Sequence, residues 1–198
     1  MIAGGTGLRT PPSKLVSALV GLALIVASAA GYRLSLEQED FQIVRGQLGE
    51  LHRYNDGLAS VSDIRVGTKL EQGDASVDTP GLFVVVRLTV QAPNRLEVHI
   101  QNSQLLAGGD TTYDAFSSGE QAFADPGFET TRDVAFEVSP ERIEDLTVQV
   151  WDSKIVDGYH QRYRVHLGIT KANAAQWVAA AQGQVVEMEQ SDQTRGLP

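Results

Sequence analysis

The 198-residue chain contains no cysteine. That absence removes disulfides, thiolate metal sites, cysteine nucleophiles and the lipobox cysteine on which a bacterial lipoprotein is anchored. Positive charge is also scarce, with 16 Lys and Arg against 25 Asp and Glu and a formal net charge of −9. Arg9 and Lys14 account for two of those cations, and no acid precedes residue 15, so the rest of the chain is more acidic still. Nucleic acid and anionic lipid surfaces would repel such an exterior. Motifs for chemistry are missing as well. No glycine loop follows a strand and opens a helix to cradle phosphate. Ser117 and Ser118 lie in a polar loop without a nucleophile elbow. The four histidines, His52, His99, His160 and His166, lack the spacing of a zinc site. The sequence therefore points to a protein that is not an enzyme and uses no cofactor or metal, because no acid, base and nucleophile converge.

Long apolar runs are few, and one stands out. Leu15 opens and Tyr32 closes LVSALVGLALIVASAAGY, which carries no charge. As a helix rising about 1.5 Å per residue it would just span a hydrocarbon core of roughly 30 Å. Ala27-Ser28-Ala29 also fits a signal-peptidase site, so the run is either a membrane anchor or a signal segment cut after Ala29. In both cases Arg9 and Lys14 stay on the cytoplasmic side and the following chain is delivered outward. The expected organisation is a cytoplasmic terminus over 1–14, the span over 15–32 and a charged stalk over 33–57, closed by the turn signal Asn55-Asp56-Gly57.

Beyond Gly57 the hydrophobic period becomes two. In LFVVVRLTV, Leu82, Val84, Val86, Leu88 and Val90 share one face, while Phe83, Val85, Arg87 and Thr89 form a second face that turns polar. RLEVHIQ, RDVAFEVS, DLTVQVW and RYRVHLGI alternate in the same way. With strands near 60–69 and 111–116, and turn clusters such as DTPG, QAPN and FADPG, about seven short antiparallel strands are expected. The fold class is thus all-β, an immunoglobulin-like antiparallel β-sandwich over 58–170. A short helix over 171–183, with Thr170 as its N-cap and Trp177 as its main apolar contact, follows. The polar stretch 184–198 reads as a disordered tail.

The strand GLFVVVRLTVQAPN, the segment NSQLLAGGDTTYDAF and the strand DVAFEVSPE after the loop DPGFET carry a resemblance. Over residues 58–151 the chain resembles a family of bacterial extracytoplasmic immunoglobulin-like domains of unknown function, common in Gram-positive organisms, that follow a lipobox or a single span. Similar folds occur in secreted mycobacterial antigens, which implies an actinobacterial source. Val138-Ser139-Pro140 departs from the family's usual Val-Pro ending, and the lipobox cysteine is missing. The resemblance implies fold and location; the family offers no shared catalytic residues to carry over.

Candidate sites follow from the strand faces. Trp151, Tyr159, Arg162, Arg164 and His166 form the candidate interaction surface, since aromatics and arginines supply anchors where exposed. Tyr113 and Tyr163 have the same two uses, as anchors or as packing. For Trp151, between Val150 and Asp152, the large ring favours inward packing. The stripe Arg162, Arg164, His166 is expected to pair with acids such as Glu97 and Glu137 on adjacent strands. His99 and His166 could bridge a metal if their strands were neighbours. Asp152 and His160 could be drawn as an acid and base pair, though Asp157-Gly158 reads as a hairpin turn. Asp110 and Asp114 lack the ligand spacing of a calcium loop. The function these features favour is a non-catalytic interaction domain at the outer face of a cell membrane, accessory or scaffold to envelope proteins. The alternative is a secreted binding protein for a small molecule or cell-wall glycan.

Overall fold

A computed structural model describes residues 41–108, 110–116, 121–152, 160–189 and 192–198. The membrane or signal segment 15–32, the terminus before it and residues 33–40 lie outside the described residues, as do Ser117, Ser118, Asp157, Gly158 and Tyr159. Among the described residues no helix is long and apolar enough to cross a membrane.

The alternation in residues 82–90 builds the central strand. It forms the second half of β4 (Ala75–Gln91), which lies between β3 (Gly57–Gln72) and β9 (Phe128–Val138). Leu82, Val84, Val86, Leu88 and Val90 are all buried, as are Val134, Phe136 and Val138 beside them. Each such valine or leucine contributes about 1.5–3 kcal/mol on burial. Two further strands, β12 (Val185–Met188) and β13 (Gln193–Gly196), flank this sheet in the order β12-β3-β4-β9-β13, and β2 (His52–Tyr54) also pairs with β3.

The opposing sheet has the order β1-β11-β10-β6-β7, from β1 (Phe41–Gly46), β6 (Asn102–Ala107), β7 (Thr111–Asp114), β10 (Thr147–Trp151) and β11 (His160–His166). Leu105, Val148, Val150, Tyr163 and Val165 project from it into the shared core. A separate pair, β5 (Val98–Ile100) with β8 (Ala122–Ala124), adds Val98, Ile100, Ala122 and Ala124 to the same core. The described residues therefore form an all-β sandwich with one short α-helix.

Several expectations are corrected. The sheets are not purely antiparallel, because β1 runs parallel to β11 and β12 parallel to β3. Thirteen strands, rather than about seven, appear among the described residues. From residue 41 onward the stretch read as a stalk is structured, contributing β1 and β2, and the stretch read as a disordered tail contributes β12 and β13. In each case pairing to a neighbour supplies what local propensity lacks. The helix α1 spans Ala174–Ala181, and Asn173 rather than Thr170 is its N-cap. The Asn173 side chain accepts from the Thr170 amide at 2.7 Å and donates to the Gly168 carbonyl at 2.9 Å, so it fixes the turn before the helix. Trp177 packs against the main core as its spacing predicts.

Candidate functional site

Alternation along β11 puts Arg162, Arg164 and His166 on the outer face of their sheet, with Tyr163 and Val165 turned inward. Register then decides their neighbours. Trp151 of β10 lies opposite Arg162, Gln149 opposite Arg164 and Thr147 opposite His166. On the other side, parallel β1 sets Ile43 beside Arg162 and Arg45 beside Arg164. Four of the five residues singled out from the sequence thus share one sheet face, and Tyr159 lies outside the described residues.

Aromatic rings organise the cations. The Arg162 guanidinium carbon sits 3.7 Å from the Phe41 ring centroid and 4.7 Å from that of Trp151, and Arg164 lies 5.7 Å from Phe41. Stacking on aromatic rings holds the guanidinium plane in a fixed orientation on this face. Arg164 donates from Nε to Gln149 Oε1 at 2.6 Å, which holds its stem along the sheet and covers Gln149, only 1% exposed. Trp151 is half-buried on this outer face, so the expectation of inward packing is corrected: its ring lies against Arg162 rather than in the core.

The expected cross-strand acids are elsewhere. Glu97 pairs with His99 at 3.1 Å, next to the β5–β8 pair, and Glu137 accepts from Thr79 on the other sheet. His99 and His166 are not on neighbouring strands, so a bridging metal between them is also corrected. Among the described residues no group of three or more His, Asp or Glu is placed to hold a metal. Asp114 accepts from Gln104 at 2.9 Å, and Asp152 is buried.

Phe41 and Arg45 were missed by sequence reading because they belong to a strand more than a hundred residues away in sequence. The only local hint was the alternation Phe41, Ile43, Arg45 within a charged stretch rich in glycine.

Behind this face the core ends in an aromatic cluster. Tyr163 is fully buried, and its ring centroid lies 6.3 Å from both His52 and Tyr54 of β2. Burial, reinforced by the Glu50 charge, pushes the Tyr163 phenol up to about 12. Tyr54 is also pushed up, first by burial and then by Asp152, against which hydrogen bonding to the Asp152 backbone and Asn55 acts. Gly46 of β1 lies directly over the Tyr163 hydroxyl, where any Cβ would overlap the phenol. That glycine is required for β1 to approach β11.

No protein-family model matches the chain, and no curated protein is similar to it. Among solved structures, the yjhA protein from Bacillus subtilis is similar at 10% identity and a TM-score of 0.45, over 60% of this chain and 98% of that one. An uncharacterized β-sandwich protein from Clostridium difficile 630 is similar at 11% identity and a TM-score of 0.38, over 65% of this chain and 97% of that one.

Proposed function

We propose that the protein is a non-catalytic interaction module of the immunoglobulin-like kind, held at the outer face of a cytoplasmic membrane by residues 15–32. In this reading it serves as accessory or scaffold to other envelope proteins through the outer face of β1, β11 and β10. The observation that carries it is Arg162 stacked between Phe41 and Trp151, with Arg164 alongside, on a chain whose net charge is −9. An arginine gripped by two aromatic rings is partly pre-ordered before any partner arrives, which lowers the entropy cost of using it. The uncharged run from Leu15, preceded by Arg9 and Lys14, supports the anchored orientation.

The test joins location with contact. The intact mass of the protein from membrane and culture-medium fractions of its host is expected to show a membrane species that retains residues 15–32. A photo-reactive residue at His166 should then give a defined cross-link in membranes that Arg162→Glu abolishes, while the same probe at Asp74 gives none. A soluble species beginning at Ala30 overturns the anchored reading and leaves the secreted binding protein for a small molecule or glycan. Cross-links indifferent to Arg162→Glu overturn the assignment of the face.

A further inference from the structure

The loop 47–51 joins β1 to β2, and packing does not hold it down. Its two large apolar side chains, Leu48 and Leu51, are 41% and 45% exposed. Among the described residues three hydrogen bonds hold it instead. The Glu50 amide donates to the Gln47 carbonyl at 3.2 Å, the Gly49 amide to the Val61 carbonyl at 2.8 Å, and the Gln47 amide to His52 Nε2 at 3.0 Å. The third bond depends on protonation. An imidazole nitrogen accepts only while it carries no proton, so this bond requires neutral His52 with its proton on Nδ1. The same Nε2 lies 3.6 Å from a Glu50 carboxylate oxygen. One nitrogen therefore has two mutually exclusive partners, an amide donor for the neutral ring and a carboxylate for the charged one. A second observation opposes closure. Tyr163 Oη is buried with no hydrogen-bond partner among the described residues, directly under Gly46, which precedes the loop. An unpaired buried hydroxyl favours any arrangement that lets water reach it.

We propose that residues 47–51 form a pH-sensitive latch: neutral His52 holds the loop shut beside Tyr163, and protonation turns Nε2 from the Gln47 amide to Glu50 and releases it. This goes beyond the reading of the molecule as an interaction module and does not depend on it. The other groups around His52 do not offer the charged ring a nearer acceptor. β1 contributes exposed Arg45 and β2 exposed Arg53. β3 sets Ala59 opposite His52, and its Asp63 is engaged with Arg65 at 3.4 Å. β11 contributes the Tyr163 ring, its centroid 6.3 Å from that of His52. The sign follows from the bond: the closed loop uses the unprotonated ring, so release accompanies acidification through about pH 8 to 5, where histidine titrates, and closure returns as pH rises.

The experiment uses the full-length chain in neutral detergent micelles. Imidazole nitrogen NMR reads the His52 tautomer, and amide exchange is followed from about pH 8 to 5 and divided at each pH by the rate of an unstructured peptide. The expected tautomer at the upper end carries its proton on Nδ1. As the His52 ring titrates, exchange at Gln47 and Gly49 should quicken about five- to tenfold relative to the peptide, the factor that one hydrogen bond of ordinary net strength supplies. Val84 and Val86 in β4 should stay protected throughout. His52→Phe keeps a ring beside Tyr163 but removes the acceptor, so Gln47 should exchange fast at every pH. The proposal is overturned by a His52 proton on Nε2 at the upper end, by a Gln47 ratio that stays flat while the ring titrates, or by a pH dependence that persists in His52→Phe. Quickening at Gln47 with Gly49 unchanged also overturns it, because one bond then changes without moving the loop. Equal quickening at Val84 and Val86 marks general acid unfolding and overturns it too. Should His52→Phe fail to fold, the tautomer and the exchange of the unaltered chain decide alone.

Discussion

The two sheets turn very different faces outward. On the β3-β4-β9 sheet the outer face is closed by the chain's own C-terminal segment, which pairs with β3 at one edge and β9 at the other. Val186 and Met188 seal a second apolar cluster with Leu70, Phe83, Val85 and Ala135. Beside it, buried Asp133 accepts from Arg65 at 2.7 Å, Arg87 at 3.2 Å and the Glu189 amide at 3.1 Å, while Glu189 itself pairs with Arg87 at 3.2 Å. Gly67 lets the segment approach, since a Cβ there would press on the Gln184 carbonyl. Cations on this sheet are met by acids from the same chain. On the β1-β11-β10 face, Arg162 and Arg164 lie against aromatic rings, and Arg164 also donates to Gln149. The contrast separates a face covered by a later segment of the chain from one on which cations and aromatic rings are laid side by side.

The largest test of that contrast removes the covering segment. A chain ending at Gly183 should lose about 3–6 kcal/mol, the burial of Val186 and Met188 plus the cluster they cover. Denaturant melts would show it, and a loss below about 1 kcal/mol would mean that the segment is not integral.

Next in size, Asp133→Ala leaves Arg65 and Arg87 facing each other without their buried counter-charge, at about 3–5 kcal/mol. The same carboxylate sets a pH dependence. Burial alone would raise its pKa, but the Arg65 hydrogen bond, the Glu189 amide and Arg87 together hold it below the usual carboxylate range. Because the folded value is the lower one, its stabilisation is complete above the unfolded value of about 3.9 and fades as pH falls further. Wild-type protein should therefore lose stability on acidification below about pH 4 more steeply than Asp133→Asn, in melts taken across pH 2–6.

Gly46→Ala tests the other sheet. The added methyl must displace β1 or the Tyr163 ring, at about 1–3 kcal/mol. Hydrogen exchange should quicken in residues 41–46 while β3, β4 and β9 stay protected. Uniform quickening would show that β1 is not a separable edge.

The smallest effect on stability is expected from Arg162→Ala, within about 1 kcal/mol, since Arg162 is a partly exposed side chain stacked on Phe41 and Trp151 at the outer face of its sheet. It should nonetheless abolish the His166 cross-link. A large stability loss with cross-linking retained would turn the stacked arginine into a structural device.

How much of this was legible in the sequence depended on whether an element carries its own signal. The period of two in residues 82–90 gave both faces of β4, including the change from Phe83 and Val85 to Arg87 and Thr89 that separates the apolar cluster from the ion pairs. The period in residues 160–166 likewise placed Arg162, Arg164 and His166 together. Edge strands carried no such signal. FQIVRG is short and set among glycines and charges, VVEM is only four residues long, and QTRG has no apolar side chain to announce a strand. They form because β11, β3 and β9 offer ready backbone partners, and that is a property of the folded sheet. Trp151 was misjudged for a related reason: ring size favours burial, but the parity of β10 puts it on the face opposite Val150.

The placement of β1 and β13 has a mechanical consequence. The described chain enters the sandwich through an edge strand of one sheet and leaves through an edge strand of the other. Tension drawn between the two ends falls on those peripheral pairings, six residues long at β1 and four at β13, before it reaches the central strands. Load is thus spent at the margins, where a strand can yield and re-seat, while β4 and its neighbours keep their core intact.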